Sequence, residues 1–335
     1  KLLSRKVLGP TLIVIVALVI INLLPIPGVV LPEISMAAEH VFDLFGFPIT
    51  NTLLASWLTM VMLTVGTWLI TRKMEIIPGR WQSALEMVIE GFYKLVEGAA
   101  GAKWAPKFFP LVMTIFLFVV VSSWLGLTPL YGGWGVLHPA EHGQSVVWLN
   151  ESHTVGAWVK AEADEGEAAQ GAHEAEGERY VLAPALRAAT TDLNVTFALA
   201  VVSVLMTQYF GVRALGAGYF GKFIAVDGIV KAFTKSGMGC LGRFASFGMG
   251  IIDLFIGIVE TISEFGKIIS FSFRLFGNIF AGEVLLGVMA FLVPYLVSLP
   301  FYGLELFVGF VQALVFMMLS VAFFVVATGG HGEGH

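Results

Sequence analysis

The sequence predicts an all-α integral membrane protein: about six membrane-inserted helices, one amphipathic surface helix, and a long, strongly tilted helical hairpin over about residues 246–328. Three observations predict it. Hydrophobic residues make up 57% of the 335-residue chain and charged residues only 13%, with a mean hydropathy of +0.85, a balance that places the chain outside the soluble enzymes. Apolar runs near twenty residues recur, long enough as helices to cross a hydrocarbon layer of ~30 Å. Finally, Arg274 sits within the oily run Ile-Ile-Ser-Phe-Ser-Phe-Arg-Leu-Phe-Gly-Asn-Ile-Phe-Ala-Gly-Glu. A guanidinium keeps its proton at any pH a cell can use, so this segment carries a fixed positive charge at membrane depth.

Taken in order, the first apolar run covers residues 7–31 and follows Lys1, Arg5 and Lys6. It is longer than the ~7–15 residues of a secretory signal core, so it reads as a retained span rather than a cleaved leader. A second span is expected over 52–71. Residues 79–100 instead place apolar side chains at helical spacing, with Glu86, Glu90 and Glu97 near one face, the pattern of a helix lying on a membrane surface. Spans follow at 107–127 and 191–211, separated by a region whose stretch Glu162–Glu178 is rich in acid and reads as a solvated loop. The block 246–293 is anomalous, because its 48 residues would run about 72 Å as a helix. It must be broken or strongly tilted. Pro294 and Pro300 punctuate its end, and 299–328 returns as the second arm of a hairpin.

Positive charge orients these spans. Lys1, Arg5 and Lys6, then Arg72, Lys73 and Arg80, then Arg213, Lys222, Lys231, Lys235 and Arg243 fall on one side, predicted to be cytoplasmic, with both termini there. The single cysteine, Cys240, excludes an internal disulfide and reads as a small packing residue. Three motifs are weak. Gly216-Ala-Gly218-Tyr-Phe-Gly221-Lys222 imitates a phosphate loop, but Phe223 stands where the magnesium-binding hydroxyl belongs, so a glycine-rich turn is the better reading. His331 and His335 belong to a glycine-rich tail, and Asn150-Glu-Ser152 is a glycosylation sequon of the predicted outer side. Neither nucleic-acid binding, nor direct nucleotide binding, nor a cofactor or metal is expected.

A polar stripe runs along the tilted helix. Asp253, Glu260, Lys267 and Arg274 recur every seven residues, with Glu264, Ser270 and Asn278 at neighbouring positions. A heptad drifts only ~20° on an ideal helix, so these groups share a face. Glu283 lies nine residues beyond Arg274 and points to a different side. On the second arm Glu305 and Gln312 are seven apart, with Ser320 beyond them, and an antiparallel hairpin can bring Gln312 near Arg274 and Glu305 near Glu283. One reading is internal ion pairing, Lys267 with Glu260 or Glu264 and Arg274 with Glu283, which glues the helices together. The other is a path for water or protons, because ionisable groups at membrane depth are costly to keep. No acid lies three or four residues from Arg274, which favours the second.

The run Arg274-Leu-Phe-Gly-Asn278-Ile-Phe-Ala-Gly-Glu283 resembles subunit a of the F-type ATP synthase, the stator half of its rotary ion channel. Arg187-Ala-Ala-Thr-Thr-Asp192-Leu-Asn194-Val-Thr and Gln312-Ala-Leu-Val-Phe-Met-Met-Leu-Ser are similar to two further segments of that family, in the same order, over about residues 45–328. The resemblance implies that the hairpin faces a ring of c subunits, and that Arg274 is the arginine meeting the ring's ion-carrying carboxylate. It implies an outer half-channel with Glu283, Glu305, Asn278, Gln312, Asp192 and Asn194, and a cytoplasmic half-channel bordered by Glu260, Ser263, Ser270 and, with a less defined role, Lys267. Implied partners are the c-ring, the peripheral-stalk b subunits, the rest of the complex and membrane lipid; the implied place is a bacterial inner membrane, with the chain itself non-catalytic.

On that frame the chain divides into an added amino-terminal helix and external loop (1–44), a first family helix with the surface helix and next span (45–131), an acidic external insert (132–190), a span and basic cytoplasmic insert (191–245), the channel-forming hairpin (246–328) and a flexible tail (329–335). Ala188 and Ala189 replace prolines usual in the family, and Glu305 stands where many bacterial members have histidine. A secondary transporter with an intramembrane ion pair is the alternative. Such folds commonly carry inverted repeats, and the long block has no counterpart in the first half of the chain. A membrane enzyme would need a nucleophile–base or metal constellation that the sequence does not offer.

Overall fold

The computed structural model of the chain describes residues 38–44, 46–72, 79–128, 131, 135–144, 146–148, 156–158, 180–223, 240–292 and 298–329. The expected first span at 7–31, the acidic Glu162–Glu178 stretch, the basic residues Lys231 and Lys235 and the tail from 330 onward lie outside them. Five helices follow in order: α1 (Asn51–Thr71), α2 (Arg80–Gly126), α3 (Leu193–Leu215), α4 (Cys240–Leu292) and α5 (Leu299–Thr328). All five are long and apolar enough to cross a membrane. The all-α membrane class is therefore the observed one, and the expected spans at 52–71, 191–211 and 299–328 differ from α1, α3 and α5 by a few residues.

α2 holds both the expected surface helix and the following span, separated after residue 100 as expected by a break at Gly101, whose φ of 74° and ψ of 160° lie outside helical geometry. Glycine adopts that conformation without strain, so this position can reverse or bend the chain. The segment before it packs on the segment after it, with the Phe92 and Phe116 rings 4.4 Å apart and those of Tyr93 and Phe109 5.3 Å apart. Helix α4 is unbroken over 53 residues. At 1.5 Å per residue it is about 80 Å long, which removes the broken-helix alternative and fits a ~30 Å hydrocarbon layer only if inclined. Its end at Leu292 falls before Pro294, while Pro300 occupies the first turn of α5, where its missing N–H is not needed.

Short strands, not anticipated from the sequence, accompany the helices. β1 (His40–Leu44) pairs with β2 (Phe47–Thr50) around Gly46, whose φ is 81°. β3 (Gly135–Gln144) pairs with β6 (Tyr180–Pro184), and β4 (Val146–Trp148) with β5 (Gly156–Trp158), all antiparallel. The last two pairs lie in the acidic insert, outside the Glu162–Glu178 stretch expected to be a loop.

The chain forms two compact units. The first, residues 1–58, 125–189 and 284–301, contains the strand pairs. Within it Asn51 donates to the Pro184 carbonyl at 3.2 Å, and Ala188 seats on Gly126 so closely that a Cβ there would overlap it. The second unit, residues 59–124, 190–283 and 302–335, holds the helical core. Phe108, Phe210 and Phe324 meet with centroids 4.8–5.2 Å apart, and Phe271 of α4 stacks on Phe316 of α5 at 4.8 Å. After α3 the glycine-rich residues Gly216–Lys222 form a 3-10 turn, not a strand-borne phosphate loop. Tyr219 lies against Gly211 there and donates to Gln208 at 2.7 Å.

The aromatic triad should dominate stability of the second unit. Phe324→Ala removes a fully buried ring and should cost about 3–5 kcal/mol, the usual range for such a cavity. Phe255, 65% exposed on α4, is the control, and Phe255→Ala should leave thermal unfolding in detergent nearly unchanged.

Candidate functional site: the arginine flank of the helical hairpin

Successive residues of a helix point about 100° apart, so the buried positions of α4 define which way Arg274 faces. Phe271, Ser272, Leu275, Ile279 and Gly282 are buried and mark the core side. Arg274 lies on one flank of that side and is exposed, together with Ser263, Gly266, Ser270, Gly277 and Ala281. Glu283, half-buried, falls about 180° away on the opposite flank. Among the described residues no carboxylate lies within salt-bridge reach of Arg274. The pairing with Glu283, one of the two readings of the stripe, is therefore not formed. Ser270, Gly277 and Ala281 beside it are small, so along that line the charge rises from a shallow surface that another helix backbone could approach closely.

Toward the carboxy end of α4, the hairpin expected from the sequence brings polar groups together. Asn278 Nδ2 donates to Gln312 Oε1 at 2.7 Å, joining α4 to α5 one turn beyond Arg274. Gln312 is thus engaged by Asn278, not placed on the arginine itself. Glu305 is buried, 8% exposed, and its carboxyl lies directly against Gly282, next to Glu283. A Cβ at 282 would overlap that carboxyl. Gly282 was not among the residues singled out above, yet the signal was present: a glycine in a helix interior that faces a bulky acid on the returning arm marks close approach.

Toward the amino end, the stripe divides. Lys267 Nζ pairs with Glu264 Oε1 at 2.9 Å and stands 5.0 Å from the centre of the Phe323 ring on α5. Glu264 is buried, so of the two partners considered for Lys267 the structure selects this one. Glu260 and Asp253 are half-buried, whereas Ser263 and Ser270 stay on the exposed flank with Arg274. At the start of α3, Asp192 is buried and caps the helix, its Oδ1 accepting the Asn194 backbone N–H at 2.8 Å. The Asn194 side chain is exposed. Thr196 follows with its Oγ1 3.3 Å from Ser272 Oγ of α4, and Ser203 of α3 lies 2.8 Å from Ser320 of α5.

Comparison with known proteins places the family of the chain. A family model described as ATP synthase A chain matches residues 53–325, which include every group just described. Among similar proteins, ATP synthase subunit a of Moorella thermoacetica is 26% identical over 292 residues, covering 87% of this chain and 97% of the relative.

The Glu305–Gly282 contact generates a test. Gly282→Ala should push the Glu305 carboxyl aside; because that carboxyl is the far end of a flexible side chain, the thermal stability of the purified protein should fall only modestly. Adding Glu305→Ala should recover most of the loss; a double variant as unstable as Gly282→Ala alone would mean that the overlap is not the cause.

Proposed function

We propose a role that starts from one fact: the chain belongs to the ATP synthase A chain family. It is a multi-pass membrane subunit of that complex. In our reading it is the ion-translocating stator subunit, non-catalytic by itself, in the inner membrane of a bacterium with both termini cytoplasmic. It provides two offset proton half-channels that Arg274 keeps apart where the chain meets a ring of c subunits. Peripheral-stalk b subunits and the rest of the complex hold it against rotation.

The observation that carries this reading is the outward position of Arg274, unpaired among the described residues, beside the small residues Ser270, Gly277 and Ala281. Among the described residues no carboxylate answers this cation, and its counter-ion comes from elsewhere. A carboxylate on an adjacent rotating helix supplies it. The guanidinium favours the ionised form of such a carboxylate, so the acid releases its proton on approach. The same charge repels hydronium, so protons cannot pass straight from one half-channel to the other. Past the arginine the carboxylate takes up a proton, becomes neutral, and can turn into lipid without a charge-burial cost.

The two flanks of α4 supply the two sides. Glu283 and the buried Glu305, with Asn278, Gln312, Asp192 and Asn194 bordering them, form the outer path. Glu260, Ser263 and Ser270 border the cytoplasmic path, where the Lys267–Glu264 pair is a neutral wall. A proton crossing the membrane field releases about 2.3 kcal/mol per 100 mV. Because the only route is by way of the ring, that work appears as rotation, and reversed rotation pumps.

ATP-driven acidification of vesicles containing the reconstituted complex tests the assignment. Arg274→Ala should abolish coupled pumping while admitting passive leak, and Arg274→Lys should be largely inactive because a desolvated lysine can lose its proton. Normal pumping by Arg274→Ala would end the reading. Glu283→Gln and Glu305→Gln should each slow proton entry; wild-type rates in both would remove these residues from the outer path.

A further inference from the structure

We propose that Thr196 and Ser272 are positioning residues that set the direction in which Arg274 points, an inference that rests on the reading just given. Ser272 lies two residues before Arg274, hence about 200° around α4, almost diametrically behind the guanidinium. Its hydroxyl is fully buried and 3.3 Å from that of Thr196, also fully buried. Thr196 Oγ1 in turn lies 3.1 Å from the Leu193 carbonyl and 3.3 Å from that of Asp192, within hydrogen-bond reach of both. That first turn is itself held by the Asp192 cap. The bond thus fastens the rear of α4 to a rigid helix start rather than to a mobile side chain.

Three helices meet here, and each pair shares one neutral polar bond. α3 holds α4 through Thr196 and Ser272, α3 holds α5 through Ser203 and Ser320, and α4 holds α5 through Asn278 and Gln312. Arg274 lies between the two anchors of α4. Asn278 fixes the side nearest the arginine, Ser272 the side behind it, and together they leave α4 little freedom to roll. Losing the rear anchor lets the helix rotate, so that the guanidinium spends part of its time away from the ring carboxylate. The predicted deficit is in coupling, not in assembly.

The test uses the whole reconstituted complex, with protons pumped per ATP hydrolysed as the readout and the amount of assembled complex measured in parallel. Thr196→Val and Ser272→Ala, which break the same bond from opposite ends, should each lower that ratio about threefold, the factor expected for one interhelical hydrogen bond in a membrane protein. Thr196→Ser, which keeps the hydroxyl, should restore it, and the double variant should be no worse than the poorer single one. Ser203→Ala, removing the α3–α5 bond, should reduce thermal stability and leave the ratio unchanged. The inference is overturned if either single variant couples like wild type, or if Ser203→Ala uncouples as much as they do. Arg274→Ala in the same assay separates the two levels: if it pumps normally the functional reading fails, whereas an inactive Arg274→Ala beside a fully coupled Thr196→Val defeats only the positioning role.

Discussion

A guanidinium deep in an apolar helix, with no carboxylate in salt-bridge reach among the described residues, is the constraint on which the rest of this structure depends. Placing it there costs about 2.5–3.5 kcal/mol on insertion scales, and a helical ion pair three or four residues away supplies only ~0.2–0.5 kcal/mol. The chain contains both solutions. Lys267 is neutralised locally by Glu264 and covered by Phe323, and it becomes part of the α4–α5 packing. Arg274, seven residues on and almost on the same face, has no acid in reach among the described residues, and the small Ser270, Gly277 and Ala281 lie along its exposed flank. One cation is structural. The other is left available.

Packing explains how an available charge can still be a positioned one. The core side of α4 presents Phe271, Leu275 and Ile279, and the stack of Phe271 on Phe316 joins α4 to α5. Aromatic and aliphatic contacts fix distance between helices well but resist rotation about a helix axis poorly. Directional bonds at Ser272 and Asn278 add that resistance. The close seat of Glu305 on Gly282 adds a third point, where a backbone without a side chain lets the returning arm approach.

Much of this was legible in the sequence, and the parts that were not have a common cause. Hydropathy placed α1, α3 and α5, and the heptad spacing placed Lys267 and Arg274 on one face, because these signals depend on residue type and helical period alone. The hairpin geometry was legible to within a turn: Gln312 meets Asn278 rather than Arg274, and Glu305 meets Gly282 rather than Glu283. What sequence reading missed depends on which residues stand opposite each other across helices. The Thr196–Ser272 and Ser203–Ser320 bonds join residues 76 and 117 positions apart, and serine or threonine in an apolar run carries no sign of its partner. The strand pairs of the acidic insert were missed because composition outweighed the short alternating runs at its ends. The end of the surface helix at residue 100 was legible, and the break at Gly101 falls there.

The chemistry of the anchors follows from the charge they hold. A carboxylate beneath Arg274 would fix its direction more firmly than a hydroxyl, since charge-assisted hydrogen bonds are roughly twice as strong as neutral ones. It would also neutralise the guanidinium and remove its hold on an acid arriving from outside. Hydroxyl and amide anchors supply direction without cancelling charge. In the described residues the bonds closest to Arg274 along α4, at Ser272 and Asn278, are both of that neutral kind, while the ion pair at Lys267 and Glu264 is kept about two turns away. The distribution of charged and neutral bonds along α4 is thus what a helix needs if it must hold a cation in place and leave its field intact.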